Sequence, residues 1–110
     1  MTITTTTLKN AAFAIEHDLF TDPDGANYLV KDGAILRRWE PEHSSADSFE
    51  LMVRLRLDVN YFPGFGEVHA SDEGGHNCWM AGYTGDLAWD TRRAILLCAE
   101  VIGESLKCQS

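Results

Sequence analysis

Three segments of the chain carry apolar residues at the three- and four-residue spacing of an amphipathic helix. The longest runs from Asp86 to about Leu106, and Asp86 is its expected N-cap. Two shorter helices are predicted from Leu8 to about Asp18 and from about Ala46 to Leu57, the second mostly buried because several of its faces are apolar. The stripe of the longest helix consists of Leu87, Thr91, Ala94, Ile95, Cys98, Val101 and Ile102.

The chain begins with a threonine run that offers little apolar surface to bury. We therefore expect residues 1–6 to be frayed and Thr7 to cap the first helix.

Short apolar runs between the helices predict strands. Asp32-Gly33 separates the runs 27–30 and 34–39, and Asp-Gly between apolar runs indicates a hairpin. The turn sequence 22–25 is expected to lead from the first helix into the sheet. After the second helix, strands are expected at 58–62, 67–71 and 78–81.

The resulting order is helix, two strands, helix, two or three strands, helix. It predicts an α+β fold in which a mainly antiparallel sheet of four or five strands packs with three helices. We expect residues 1–110 to form a single α/β sandwich domain, since one core typically occupies roughly 100–150 residues. No internal repeat is visible in the sequence.

Charge and cysteine content narrow the possible functions. The net charge of −8 disfavours direct nucleic-acid binding and favours partners with a basic surface. Cys78, Cys98 and Cys108 form no C-x-x-C pair, and Cys98 lies on a predicted buried stripe, which indicates a reducing cytosol. Neither a secretory leader nor a membrane span is recognisable, so we expect a cytoplasmic protein.

Three stretches together resemble small phage and prophage proteins of the αβα-sandwich type. They are Trp39-Glu40-Pro41, the helix 46–55 beginning Ala-Asp-Ser, and the helix that begins Asp90-Thr91-Arg92-Arg93-Ala94-Ile95 and ends with Ala99-Glu100-Val101-Ile102-Gly103. The departures are residues 43–45, where the family has an acidic-glycine loop, and the insert 72–84. The family has no agreed activity. The resemblance implies a compact α/β fold, a bacterial host cell and an accessory role such as anti-defence.

One group of residues could support chemistry. His69, His76 and Cys78, with His43 as a fourth member, supply ligand types suited to zinc or to a cysteine nucleophile. Their spacing matches no standard zinc finger, and nothing marks an oxyanion hole. We therefore expect a non-catalytic protein without cofactor or metal, with a small metal protein or enzyme built on this group as an alternative.

The strongest charge feature is the absence of lysine and arginine between Leu57 and Thr91. A partner with a basic surface would meet this region, and an exposed Trp79 would add a binding hot spot. The acidic residues predicted to bind the partner are Asp58, Glu67, Asp72, Glu73, Asp86 and Asp90.

An oligomerising structural or packaging accessory is the remaining alternative.

Overall fold

The computed structural model describes residues 3–74 and 79–109. Within these ranges the chain forms an α+β structure, as expected. The helices are α1 (Thr5–Ala14), α2 (Ser45–Arg54) and α3 (Leu87–Cys108), with one 3-10 turn at Pro63–Phe65. The strands are β1 (Asp18–Thr21), β2 (Asn27–Lys31), β3 (Ala34–Arg38), β4 (Asp58–Phe62), β5 (Glu67–Ser71) and β6 (Trp79–Gly82).

The strands form two sheets, so the prediction of one sheet of four or five strands is wrong. Sheet A has the order β1-β2-β3 and sheet B the order β4-β5-β6, and all pairs are antiparallel. Helix α2 follows β3 and precedes β4, and among the described residues no ladder joins the two sheets. Each run of three strands is therefore a meander that pairs only with itself.

Strand β1 is not among the strands expected from the sequence, because Leu19 follows Ile15 at the four-residue spacing of a helical stripe. Helix α1 instead ends at Ala14, and Glu16 takes a left-handed conformation with φ 64°. The N–H of His17 donates to Ala12 O at 3.0 Å and that of Glu16 to Phe13 O at 2.9 Å. These two bonds form a Schellman motif, which satisfies the last helical carbonyls and redirects the chain into β1.

The second helix ends in the same way. Arg56 has φ 54°, its N–H donates to Val53 O at 3.2 Å, and the N–H of Leu57 donates to Met52 O at 2.9 Å. An aspartate then opens the following strand in both cases, Asp18 in β1 and Asp58 in β4. The fold thus contains two units of one helix and three strands, the first unit spanning residues 5–38 and the second unit residues 45–82, followed by α3.

The first helix starts earlier than expected. Thr4 is its N-cap, and Thr4 and Thr7 form a reciprocal capping box with 3.2 Å bonds in both directions. Fraying of residues 1–6 is therefore wrong for Thr4, Thr5 and Thr6, because a threonine run contains both halves of this box.

Helix α3 supports both units. Its middle, Ala94–Ala99, is buried on all sides, and near its C-terminal end Gly103 faces α1. A Cβ built on Gly103 would lie 1.8 Å from the carbonyl oxygen of Asn10, so only glycine permits this helix crossing. A single core cluster joins residues of both sheets and all three helices, including Ala11, Leu29, Trp39, Leu51, Val68, Ala81 and Leu96.

Helix α2 is far less buried than its composition suggests. Only Ser48 and Leu51 are buried, whereas Phe49 is 60% exposed and Val53 is also exposed. Leu87, at the start of the α3 stripe, is exposed as well. The expectation of a mostly buried second helix is wrong because one side of α2 contacts α3 while the other remains uncovered.

In the part of the chain that the structure describes, no helix has the length and apolar character needed to cross a membrane.

Candidate functional site

The predicted acidic residues lie at two opposite ends of sheet B. Asp58 pairs in register with Ser71, so Asp72 and Glu73, which follow Ser71, lie near the same end. Glu67 pairs with Gly82 at the other end, where the chain continues towards Asp86. The Cα atoms of Glu67 and Ser71 are roughly 13 Å apart at about 3.3 Å per residue. The acids therefore do not form one continuous strip along the loops.

Asp90 is not a surface residue. It is 1% exposed, and its carboxylate accepts from Thr84 N at 2.8 Å and from Thr84 Oγ1 at 2.9 Å. Asp86 is the N-cap of α3, as expected, and its side chain accepts from Trp89 N at 3.0 Å. Asp90 therefore stabilises the turn before α3, and its predicted role in a partner interface is wrong.

Two further members of the predicted set have structural neighbours. Glu73 lies 3.8 Å from the guanidinium of Arg56, so a basic side chain adjoins the acidic stretch just outside the limits read from the sequence. Trp79 pairs in register with Ala70 on the core-facing side of sheet B and is half-buried. Its indole packs against the core, so the expected exposed hot spot at Trp79 is wrong.

The outer face of sheet B carries a different exposed group. Val68 and Ala70 are buried, so alternation places their neighbours Glu67, His69 and Ser71 on the opposite face. Cross-strand register adds Asp58, Asn60 and Phe62 from β4 and Met80 from β6 to this face.

At the centre of this face, the rings of Phe62 and His69 lie 4.4 Å apart and Met80 pairs directly with His69. Met80 is 53% exposed and Phe62 is also exposed. Glu67 lies 3.4 Å from the His69 imidazole, and Asp58 is at the far end of the same face. The three strands contain no lysine or arginine. This exposed apolar group thus has a carboxylate towards each end of the face and no lysine or arginine on its three strands.

A second concave feature lies between α2, β4 and the start of α3. This α2–α3 groove encloses about 460 Å³, and its walls are mainly apolar. Although the chain has 17 acidic residues, none of the groove-lining residues among those described is acidic. The lining residues are Ser45, Ser48, Phe49, Met52, Val59, Tyr61, Leu87, Ala88, Thr91, Arg92 and Ile95.

Arg92 supplies the positive charge of the groove. Its Nε–H donates to Glu42 O at 2.8 Å and its Nη1–H to Ser45 Oγ at 3.2 Å, both neutral acceptors. Among the described residues no carboxylate pairs with Arg92, whereas Arg37 and Arg54, for example, lie 2.7 and 3.9 Å from acidic side chains. The guanidinium carbon lies 6.0 Å from the centre of the Trp89 ring, and among the described residues the hydrogen bonds of Arg92 come from Nε and Nη1, not from Nη2.

Ser48 adds a buried polar atom to the same groove. The residue is 2% exposed, and its hydroxyl has no hydrogen-bond partner in the described structure. Sequence reasoning did not select Ser48 or Arg92. The apolar residues on several faces of α2 were a usable signal, because a ten-residue helix beside one supporting helix cannot bury every face.

The two described members of the histidine and cysteine group lie in different parts of the structure. His69 lies on the outer face of sheet B, while His43 lies beside Trp89, with ring centres 5.5 Å apart. His76 and Cys78 fall outside the described residues. Within 3–74 and 79–109, no cluster of three or more histidine, cysteine or acidic side chains has the arrangement of a metal site.

The motifs that resemble phage proteins have structural roles. Trp39 and Pro41 are fully buried, and Glu40 accepts from the backbone N–H of Asn27 at 2.9 Å. Asp47 accepts from Glu40 N at 2.8 Å and pairs with Arg37 at 2.7 Å. These residues join β2, β3 and the start of α2.

Comparisons with protein-family models, with curated proteins and with solved structures return no match to this chain. The phage or prophage origin implied by the motifs therefore stays a prediction.

Proposed function

We propose that this chain is a non-catalytic binding protein that attaches to a basic partner protein through the outer face of sheet B. One observation carries the proposal: the exposed Phe62 and Met80 and the half-buried His69 form one group on this face. Glu67 stands beside Phe62 at one end of the face and Asp58 lies at the other, and the three strands contain no lysine or arginine. An apolar centre with a charged rim is the usual composition of a protein interface.

The charge distribution indicates which partner would fit. Lysine or arginine side chains around an apolar residue would complement the rim, and the net charge of −8 would steer such a partner to the surface. Relative to the sequence prediction, Glu67 and Asp58 stay in the interface while Asp90 and Trp79 are removed from it.

The biological setting of the proposal comes from the sequence motifs. We propose a phage- or prophage-encoded accessory protein that acts in the bacterial cytoplasm, with antagonism of a host defence complex as its role. The metal or enzyme alternative and the oligomerising alternative stay untested. The exposed edge strands β3 and β4 are the positions through which self-association would proceed.

The test is quantitative capture of host proteins by the wild-type chain and by a variant carrying Asp58→Lys and Glu67→Lys. We expect the double reversal to reduce capture of the specific partner at least tenfold without changing the unfolding transition, because both side chains are on a solvent-facing sheet surface. Raising the salt concentration should weaken wild-type capture, since exposed charges are screened.

The matched control is Phe20→Ser with Ile35→Ser on sheet A, which also exposes large apolar residues. This control should capture the same partner as the wild type. Capture that survives the double reversal, or that is lost in the sheet A control, would contradict the proposed interface.

A further inference from the structure

The α2–α3 groove is separate from the proposed protein interface, since the β4 residues that line it lie on the face opposite to Phe62 and Asp58. We propose that the groove binds a small amphipathic carboxylate, such as a medium-chain fatty acid, with the carboxylate held by Arg92 and Ser48. The groove volume of about 460 Å³ lies within the range of small-molecule sites, roughly 300–1,000 Å³.

The apolar part of the ligand is specified by the walls. Phe49 and Met52 on α2 face Val59 and Tyr61 on β4, and Leu87 closes the groove from α3. Phe49 is 60% exposed and Leu87 51%. Covering these side chains with an aliphatic chain would remove apolar surface from water, which is the main favourable term in such binding.

The negative group is specified by charge and by unused hydrogen-bond donors. Arg92 carries the only charge among the groove-lining residues that the structure describes, and its Nη2 donors are unused there. A carboxylate matches a guanidinium in shape and charge. Because the whole chain has a charge of −8, anions are repelled from most of its surface and a local cation is needed to hold one.

Ser48 is the second, independent observation. A buried hydroxyl without a partner costs about 1–3 kcal/mol. Ser45, whose Oγ lies 3.2 Å from Arg92 Nη1, precedes Ser48 by three residues on α2. Residues at this spacing share one helix face, about 5–6 Å apart between Cβ atoms. The Ser48 hydroxyl oxygen is itself sealed from solvent, so we expect a small shift of this side chain on binding to let it donate to the carboxylate that Arg92 binds.

The test is calorimetric titration with sodium octanoate, using 1-octanol as the uncharged probe of equal chain length. We expect saturable one-to-one binding of octanoate. Arg92→Gln should weaken octanoate at least tenfold and leave octanol unchanged, and Arg92→Lys should restore part of the loss. Arg38→Gln removes an equal charge outside the groove and should leave octanoate affinity unchanged.

Two further variants keep the test decisive if Arg92→Gln fails to fold. Ser48→Ala should weaken octanoate several-fold while making the free protein more stable, a combination that loss of structure cannot produce. Ala88→Trp fills the groove from an exposed helical position and should abolish binding, whereas Ser105→Trp, on the exposed C-terminal part of α3, should not.

Three results would overturn the proposal. The first is absence of saturable octanoate binding to the wild-type chain. The second is equal affinity of the wild type and of folded Arg92→Gln or Ser48→Ala. The third is a wild-type dimer that Ala88→Trp dissociates and octanoate does not affect, because the groove would then be an interface between two copies.

Discussion

The first and second units follow the same path but meet α3 in different ways. Both helices end in a Schellman motif with a left-handed residue, Glu16 or Arg56. Helix α1 then packs so closely on α3 that Gly103 touches the Asn10 backbone, whereas α2 leaves a groove between itself and α3. The same kind of helix end is therefore found beside a tightly packed contact with α3 in the first unit and beside an open groove in the second.

The residues on the two helices explain the difference. Helix α1 presents Ala11, Ala12 and Ala14 towards the interior, and small side chains permit a close approach. Helix α2 places the larger Phe49 and Met52 along the groove, where Phe49 stays 60% exposed. Hydrogen bonds from Arg92 to the Glu42 carbonyl and the Ser45 hydroxyl connect α3 with the loop before α2 and with the first residue of α2. Both units contribute to the core, but the closed contact with α3 belongs to the first unit and the two proposed binding surfaces belong to the second unit and the start of α3.

The largest expected effect comes from breaking the closed contact with Gly103→Ala. The added Cβ would overlap the Asn10 carbonyl, so α1 and α3 must separate, and we expect a loss of about 3 kcal/mol or more in the free energy of unfolding. Urea denaturation measures it. Gly64→Ala is the control, because its Cβ would meet nothing within 4 Å. Equal stability of the two variants would show that the contact is not closed.

A smaller effect, of opposite sign in the two units, is expected for the buried polar residues of the two helices. Asn10 Oδ1 accepts from Lys107 Nζ at 2.6 Å, so Asn10→Ala should destabilise the protein by about 1–2 kcal/mol. The Ser48 hydroxyl has no partner in the described structure, so Ser48→Ala should stabilise it by about 1 kcal/mol.

Thermal unfolding checks both signs. Ser105→Ala, at an exposed position on α3, should change stability by no more than about 0.5 kcal/mol. Destabilisation by Ser48→Ala would mean that its hydroxyl is already satisfied, and the difference between the units would then be smaller than we infer.

The smallest effect concerns the left-handed residue of the Schellman motif that ends the helix in each unit. Glycine adopts the left-handed conformation without steric cost, so Glu16→Gly and Arg56→Gly should each stabilise the protein by about 0.5 kcal/mol. Lys9→Gly, within α1, should instead cost about 1 kcal/mol. Denaturation midpoints of the three variants provide the measurement, and unequal gains at Glu16 and Arg56 would argue against equivalent helix exits.

Local signals in the sequence predicted a large part of the fold. The Asp32-Gly33 hairpin, the strands of sheet B and the Asp86 cap of α3 are confirmed. Each depends on residues close together in the chain, where turn and cap preferences act directly. The helix exit at Glu16 escaped prediction because glutamate is an ordinary helical residue and gives no sign that it will adopt a positive φ.

The candidate sites were predicted less well. Asp90 and Asp58 look alike as acids in a cation-free stretch, yet Asp90 is buried against Thr84 and Asp58 is exposed. The partners of Arg92 are about 50 residues away in sequence, so no local pattern marks it. Ser48 became notable only when its surroundings offered no acceptor or donor.

By itself, the sequence determined the α+β class, the positions of three helices and most strands, the acidic charge and the cation-free stretch from Leu57 to Thr91. Only the tertiary structure decided that the strands divide into two sheets, that the acids separate to two ends of sheet B, and that one face of α2 stays open. The physical reason is the distance along the chain over which each effect acts. Turns, caps and periodicity act over a few residues, whereas burial depends on which distant surface covers a side chain.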